Sequence, residues 1–400
     1  MKNILIFGAY IENKGAQSMI FTVVDEMKKK DPKANIIVVV NQEVPLEIRK
    51  DYNFEFLYLP MKNKLEIAAR EFFLISKLMR GKADRGITNE FIKILSNTKA
   101  IIDISGFALS SKFSRNNTIN FIAQISIAKN SALPIYLFPQ SFGPFNYRKL
   151  ERPFVNYLIK KYMSYPKAIF VREKDGLDQL EVFDLPKLYK SVDTVFHHRG
   201  DYNINNIFSD NNKIRKNFII KENAVGIVPN IKTIGSKNYE DLHKLYEKII
   251  DHLSKSEMNV YLLKHSVEDL ELLESLYAKF EKDENVSLLS EEYNSIELQH
   301  IIKKFNFIIA SRYHSIVHAY KVGTPAIVLG WAVKYKELLD MFDQSEYQFD
   351  VDNVNHEKFM RKIHKMNNNY IEERNKIKEV EKNILTHNIF DLMEDEIFEK

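Results

Sequence analysis

The stretch Ile4-Leu5-Ile6-Phe7-Gly8 is the first of a series of short apolar runs, and it decides how the chain begins to fold. Gly8 and the charged Glu12 end this run too early for a signal peptide or a membrane span, so it predicts a β-strand. A helical pattern follows over residues 16–30, and a second apolar run covers residues 36–40. Strand, helix and strand in this order predict a βαβ unit with two parallel strands.

The same alternation continues to about residue 329 of the 400-residue chain. Further strand candidates in the first half are residues 56–59, 100–104, 135–138 and 168–171. Those in the second half are residues 224–228, 259–263, 286–289, 307–310 and 326–329. Helical patterns separate them, for example over residues 149–163, 239–254 and 270–280. Because the chain is too long for one ordinary core, we predict an α/β fold with two Rossmann-like parallel-sheet domains.

An Asn-rich, polar stretch over residues 201–223 separates the two halves. Asn favours turns over helix and strand, so we expect a domain boundary near residue 205 and a linker over residues 206–223. The N-terminal domain would cover residues 1–205 and the C-terminal domain residues 224–356. Residues 357–400 form a charged helical segment, which by analogy with other two-domain folds could pack back on the N-terminal domain.

Composition excludes several classes of function. The 58 Lys and Arg residues nearly balance the 54 Asp and Glu, so the net charge of +4 is too small and too scattered for nucleic-acid binding. The chain has no cysteine, which excludes disulfides, thiolate catalysis and Cys-ligated metals. No HExxH motif or other clear metal-ligand cluster stands out, so we expect no metal. Without a signal peptide or an apolar span, the expected location is cytoplasmic.

Ligands of doubly wound sheets bind at the carboxyl ends of strands, so the strand exits are the candidate sites. Gly15 ends the first exit just before a helix, where it allows close approach of an anion; an ordinary turn is an equal alternative. Gln140-Ser141 follows the fifth strand and offers neutral groups for sugar hydroxyls, or forms a simple turn. Arg172 ends the sixth strand, where it must face a cleft or form a salt bridge with Glu173 or Asp193.

The strand at residues 307–310 exits into the sharpest group of candidates. Arg312 can hold a carboxylate or phosphate through two hydrogen bonds, and His314, at the start of a helix, can move a proton near neutral pH. We favour this function over a structural cap. Lys334 would open a helix, where the dipole disfavours a cation, so it requires an anionic partner; Lys336 is the alternative. His265, after another strand, is a weaker candidate.

Taken in order, these exits resemble those of the polysaccharide pyruvyl transferase family, bacterial enzymes that modify surface glycans and cell-wall polymers. The resemblance spans about residues 4–342. It is carried by the motifs Asn13-Lys14-Gly15-Ala16-Gln17, Gln140-Ser141-Phe142-Gly143-Pro144, Val171-Arg172, Asp193, Arg312-Tyr313-His314 and Gly323-Thr324-Pro325, followed by Lys334. It implies a fold similar to GT-B glycosyltransferases with a site in the interdomain cleft. It also implies phosphoenolpyruvate as donor, with Arg172, Arg312, His314 and Lys334 in the site.

The resulting hypothesis is a pyruvyl transferase that needs no cofactor. Arg172, Arg312 and Lys334 would hold the carboxylate and phosphate of phosphoenolpyruvate, and His314 would act as acid or base. A sugar of a surface or cell-wall glycan, or a lipid-linked sugar, would accept the pyruvyl group as a ketal. A GT-B glycosyltransferase that uses a nucleotide sugar is the alternative enzyme. A catalytically silent glycan-binding or scaffold protein is a third interpretation, against which the four intact side chains argue.

Residues 64–82 have the pattern of an amphipathic helix. One face carries Leu65, Ala68, Ala69, Phe72 and Met79. The remaining positions carry Lys64, Arg70, Lys77, Arg80 and Lys82. Such a helix could make a peripheral contact with anionic lipid. Packing of the apolar face on the protein's own sheet is the favoured alternative.

Overall fold

The computed structural model describes residues 2–79, 81–210, 214–215, 217–233, 239–330 and 332–393. The chain divides into two compact units. The first contains residues 1–12, 19–213 and 388–400, and the second contains residues 13–18 and 214–387. The expected boundary near residue 205 therefore lies inside the first unit, and residues 211–213 and 216 of the expected linker lie outside the described residues.

The first unit is built on a seven-stranded sheet in the order β3-β2-β1-β4-β5-β6-β7, and every pairing is parallel. The strands are β1 (Asn3–Phe7), β2 (Asn35–Val40), β3 (Glu55–Tyr58), β4 (Thr98–Asp103), β5 (Ile135–Gln140), β6 (Ala168–Val171) and β7 (Leu188–Lys190). The central strand β1 is buried at every residue, as expected for a sheet that is covered on both faces.

Helices connect these strands. They are α1 (Lys14–Lys30), α2 (Leu46–Arg49), α3 (Met61–Ile67), α4 (Arg70–Leu78), α5 (Arg85–Ser96), α6 (Arg115–Asn130), α7 (Arg152–Met163), α8 (Lys174–Glu181) and α9 (Ile204–Ile207). Residues 13–18, which include the first turn of α1, are grouped with the second unit, and the rest of the helix with the first.

The second unit repeats the same strand order in a six-stranded parallel sheet, β10-β9-β8-β11-β12-β13. Its strands are β8 (Ala224–Val228), β9 (Asn259–Leu263), β10 (Val286–Leu289), β11 (Phe307–Ala310), β12 (Ala326–Gly330) and β13 (Gln348–Asp350). Its helices are α10 (Tyr239–Lys255), α11 (Leu270–Tyr277), α12 (Ser295–Ile302), α13 (Tyr313–Lys321), α14 (Val333–Met341) and α15 (His356–Leu385). The predicted α/β class with two parallel sheets is confirmed.

The long C-terminal helix α15 belongs to the second unit. It contributes Phe359, Ile363 and Met366 to the hydrophobic core of that unit. The helical part of the expected C-terminal segment is thus grouped with the second unit. The chain rejoins the first unit from Asn388, whose side-chain amide donates to the carbonyl of His197 at 2.7 Å.

The segment expected to form one amphipathic helix forms two, α3 and α4, separated by extended backbone at Ala68 and Ala69. Leu65, Ala68 and Phe72 lie in the core of the first unit, so the apolar face packs on its own sheet and does not face lipid. Arg80 lies outside the described residues. Among the helices that the structure describes, none is both long enough and apolar enough to cross a bilayer.

Gly226, in the centre of β8, gives a test of the second core. A methyl group there would lie 2.5 Å from a ring carbon of Phe305 and 3.1 Å from a methyl carbon of Ile308. We expect Gly226→Ala to lower the free energy of unfolding by about 1–3 kcal/mol, because the core must shift to accept the added atom. Urea unfolding measures this change. When Phe305→Leu is present in the same chain, Gly226→Ala should lower the free energy of unfolding by less, because the smaller side chain leaves room for the methyl group. An equal loss with and without Phe305→Leu would contradict the proposed clash.

Candidate functional site

A network around Arg172 closes the carboxyl edge of the first sheet. Arg172 follows β6 directly and is buried. Its Nη1 donates to Asp193 at 2.8 Å, and its Nη2 donates to the carbonyl of Gly106 at 2.8 Å and to the hydroxyl of Ser141 at 2.7 Å. The salt bridge that the sequence offered as one interpretation of Arg172 is therefore present. Together with the other two hydrogen bonds of Arg172, this salt bridge links the exits of four strands, β4 to β7.

Gln140 and Ser141, the candidates for sugar hydroxyls, are both buried, and Gln140 is 0% exposed. The side-chain amide of Gln140 donates to Asp103 at 3.3 Å. The hydroxyl of Ser141 accepts from Arg172 and donates to Glu173 at 2.8 Å. In this structure both side chains therefore bond to the protein itself.

A buried lysine and a buried aspartate occupy the same edge of the first sheet. The Lys64 ammonium donates to Asn41 at 2.6 Å, and the Asp103 carboxylate accepts from the backbone and hydroxyl of Ser105 at 3.0 and 3.1 Å. Burial raises the pKa of Asp103 to about 6 and lowers the pKa of Lys64 to about 7, and the attraction between the two charges opposes both shifts. The sequence analysis did not identify Lys64 and Asp103 as a pair of interacting titratable groups.

In the second unit, Arg312 is held by an aspartate from a different loop. Its Nε and Nη2 donate to the two carboxylate oxygens of Asp269 at 2.8 and 2.6 Å, and Nη2 also lies 3.2 Å from Glu268. Asp269 is fully buried, whereas the Arg312 side chain keeps 16% of its surface exposed. Among the described residues, Nη1 of Arg312 has no hydrogen-bond partner. This nitrogen is therefore available to an anionic ligand.

Two buried tyrosines fix the chain where β11 ends. The hydroxyl of Tyr246 shares a hydrogen bond of 2.6 Å with the hydroxyl of Ser311, and the hydroxyl of Tyr335 donates to the Ser311 carbonyl at 2.9 Å. Burial, the main cause, raises the pKa of Tyr335 to about 12, so its hydroxyl remains a donor at neutral pH. Arg312 thus leaves the sheet from a rigid point.

Lys334 lies in the first turn of α14, as the sequence predicted. Its ammonium lies 4.7 Å from the ring centre of Tyr313, a cation–π contact. Lys336, the alternative, is exposed. The ring of Tyr313 also meets the ring of His314 edge to face, with centres 5.3 Å apart. Lys334 and His314 therefore contact the same aromatic ring.

The ring of His314 packs against the backbone of Gly15. A methyl group at Gly15 would lie 2.1 Å from Nδ1 of His314, so any residue other than glycine would collide with the imidazole. Next to it, Lys14 forms an ion pair with Glu292. Arg312, the N-cap residue of α13, makes no side-chain capping hydrogen bond, and the positive end of the helix dipole lies beside His314.

His265 and His318 form a buried imidazole pair, with Nε2 of His265 3.3 Å from Nδ1 of His318. Burial lowers the pKa of His265 well below its ordinary value, and the positive charges of His318, His314, Arg312 and Lys14 lower it further. His265 is therefore neutral at physiological pH and can accept or relay a hydrogen bond.

Of the candidates from the sequence, Arg312, His314, His265 and Gly15 lie together in the second unit, and Lys334 joins them through Tyr313. Arg172, Gln140 and Ser141 lie together in the first unit.

The sequence analysis missed two residues of the second-unit cluster. His318 could have been found, because it lies one helical turn after His314 and so on the same face of α13. Asp269 gave no local signal, because it lies 43 positions before the arginine that it holds.

One set of potential metal ligands occurs among the described residues, namely Asp25, Glu26 and His198 in the first unit. The Lys29 ammonium lies 2.8 Å from Asp25 and 3.1 Å from Glu26, and His198 lies 2.7 Å from Asp25. Because Lys29 already supplies the positive charge, we assign this set to a structural ion-pair network.

Comparison with known proteins shows which family the sequence of this chain matches. The model of the family described as polysaccharide pyruvyl transferase matches residues 13–332, a range that includes Gly15, Arg172, His265, Arg312 and His314 and ends just before Lys334. No curated protein sequence matches the chain significantly.

Solved structures with the same fold are distant in sequence. A putative UDP-N-acetylglucosamine 2-epimerase from Listeria monocytogenes has a TM-score of 0.58 at 8% identity, and covers 98% of this chain and 96% of its own. UGT71G1 from Medicago truncatula, complexed with UDP-glucose, has a TM-score of 0.55 at 10% identity and 98% coverage of both chains. At this identity the similarity shows the GT-B-like fold alone.

The buried lysine predicts a pH dependence. Lys64 keeps its proton up to about pH 10.5 in the unfolded chain but loses it near pH 7 in the folded one. Between these values the unfolded state binds more protons, so the free energy of unfolding should rise with pH, by at most about 1.4 kcal/mol per pH unit. Lys64→Met should abolish this rise in urea unfolding from pH 7 to about pH 9. The exposed Lys93→Met should retain it; a rise that survives Lys64→Met would contradict the assignment.

The two acidic partners of Arg312 should differ in their contribution to stability. Asp269→Asn replaces a buried carboxylate that accepts two charged hydrogen bonds, and should lower the free energy of unfolding by about 1–3 kcal/mol. Glu268→Gln changes an exposed partner and should cost less than about 1 kcal/mol. Thermal and urea unfolding of the two variants measure this difference. Equal losses would show that the Asp269 pair does not hold Arg312.

Proposed function

Because the chain belongs to the polysaccharide pyruvyl transferase family, we propose that it transfers a pyruvyl group from phosphoenolpyruvate to a sugar of a glycan and forms a ketal. The observation that carries this proposal is the cluster at the exit of β11. There, an arginine oriented by Asp269 stands beside His314 at the uncapped start of α13. An anion-binding group and a proton-carrying group at one strand exit are what an enol phosphate requires.

Arg312 is the proposed donor clamp. Asp269 uses two of its nitrogens, so the guanidinium is oriented before any ligand arrives, and Nη1 can donate to the carboxylate or phosphate of the donor. Lys334 and the start of α13 would add positive charge for the second anionic group. Positive charge near the bridging oxygen of the phosphate stabilises the departing phosphate. Arg312 and Lys334 can supply this charge without a metal.

His314 is the proposed acid and base. In the first step, a sugar hydroxyl adds to the central carbon of phosphoenolpyruvate while the methylene carbon gains a proton. In the second, a neighbouring hydroxyl of the sugar displaces phosphate from the same carbon and closes the ketal. One hydroxyl proton thus ends on the new methyl group, and the other leaves with phosphate. A histidine that exchanges one proton serves both steps.

His265 is the proposed positioning residue for this chemistry. It stays neutral because of burial and the surrounding cations, so it does not add a further charge next to Arg312 and His314. Arg172, expected from the sequence to contact the donor, is bonded to Asp193, Ser141 and Gly106 within its own unit. We assign to it the ordering of the strand exits of the first unit. Those exits are our proposed location for the acceptor sugar.

Glycosyl transfer from a nucleotide sugar is the competing activity, since the fold is shared with proteins whose structures contain UDP-sugars. The two differ in the ligand that should stabilise the protein. Under our proposal phosphoenolpyruvate raises the melting temperature and nucleotide sugars do not. The reverse result would replace pyruvyl transfer by glycosyl transfer, and no shift with either would favour a binding protein.

Substitution of the two central residues should separate binding from chemistry. His314→Gln should leave stabilisation by phosphoenolpyruvate intact but lower kcat by ~10²–10⁴-fold, whereas the exposed His252→Gln should leave kcat unchanged. Arg312→Gln combined with Asp269→Asn removes both charges of the pair and should weaken donor binding by about tenfold to a hundredfold. Melting temperature, donor affinity and kcat are the readouts. Activity losses that follow melting temperature alone in every variant would refute the catalytic assignment.

A further inference from the structure

Helix α4 carries an apolar surface that the core does not use. Phe72 points into the core, but Phe73, Leu74 and Leu78 are exposed, and Leu78 is 88% exposed. Positions 74 and 78 lie one turn apart, and Phe73 adjoins Leu74, so the three form one face of the helix. Lys77 lies on this face, with its ammonium 4.6 Å from the ring centre of Phe73.

Helix α7 presents a second surface of the same kind. Phe154 and Tyr157 are exposed on it, and Leu150, just before the helix, is 94% exposed. The two helices are neighbours: Glu71 of α4 accepts hydrogen bonds of 2.6 Å from Lys161 and from Tyr162 of α7. We refer to the exposed side chains of residues 70–78 and 148–161 as the α4–α7 face.

Charge distinguishes this face from the rest of the molecule. Its two segments contain seven Lys and Arg, namely Arg70 and Lys77 in the first segment and five in residues 148–161, against two Glu. Both acids are neutralised, Glu71 by Lys161 and Glu151 by Arg115 at 3.3 Å. The whole chain has a net charge of only +4, so the face concentrates positive charge around exposed apolar side chains.

We propose that the α4–α7 face binds the surface of an anionic lipid bilayer. Apolar and aromatic side chains surrounded by Lys and Arg match an interface in which acyl chains lie beneath negative headgroups. A second copy of this chain would bring two positive faces together, and the resulting repulsion opposes such a dimer. The face differs from the one that the sequence suggested, because Leu65, Ala68 and Phe72 lie in the core, and Ala69 and Met79 pack against it.

Vesicle co-sedimentation of the 400-residue protein tests the proposal. Wild type should pellet with vesicles of phosphatidylcholine and phosphatidylglycerol but not with phosphatidylcholine alone, and salt should weaken binding because it screens the charges. Leu74→Glu with Leu78→Glu should reduce the partition coefficient by at least about tenfold, because two side chains lose their apolar contact and gain negative charge. Arg148→Gln with Lys149→Gln should reduce it about tenfold or more on anionic vesicles.

The control is Val182→Glu, which places the same charge on another exposed apolar position of the first unit and should bind like wild type. Circular dichroism and melting temperature should be the same for all variants, because every substituted side chain is exposed. Binding that survives Leu74→Glu with Leu78→Glu, or that ignores lipid charge, would overturn the proposal. So would a dimer in light scattering that the same double variant converts to a monomer. None of these readouts depends on the transferase activity.

Discussion

A buried charge must meet an opposite charge, and this constraint organises the polar edge of both sheets. In the first unit Arg172 leaves β6 and is held by Asp193, and in the second Arg312 leaves β11 and is held by Asp269. In each case the carboxylate comes from a different loop and is itself buried. Each pair therefore connects separate strand exits. Loops that lie far apart along the chain are in this way held in a fixed geometry.

The two pairs nevertheless have different potential for chemistry. Arg172 is enclosed by three partners from neighbouring exits, whereas Arg312 retains one nitrogen and part of its surface for a ligand. Around Arg312 the protein keeps His265 neutral, which limits repulsion within a cluster that already contains several cations. A preorganised guanidinium in a partly buried site loses little entropy when an anion binds. This difference supports our proposal that the donor binds in the second unit, whereas the Arg172 pair orders the strand exits of the first.

Much of the fold was readable from the sequence, and its exceptions have physical reasons. Apolar runs predicted the central strands, including β6 with its observed bounds, but the edge strands β7 and β13 were missed because three residues show no periodicity. The break between α3 and α4 falls at two alanines, which favour helix, so tertiary packing decided it. Arg312 and His314 were found because chemistry at a strand exit is visible locally. Their partner Asp269 was not, because long-range pairing leaves no local pattern.

The contact between Gly15 and His314 has a genetic consequence. Gly15 carries no side chain, yet its backbone lies against an imidazole 299 positions later and leaves no room for a methyl group. The two positions should therefore show epistasis. In a mutational scan Gly15 would score as intolerant as a catalytic residue, and that intolerance would ease in a background where residue 314 is small. In related sequences, substitutions at the two positions should therefore occur together. Gly15 should be retained wherever residue 314 is a histidine.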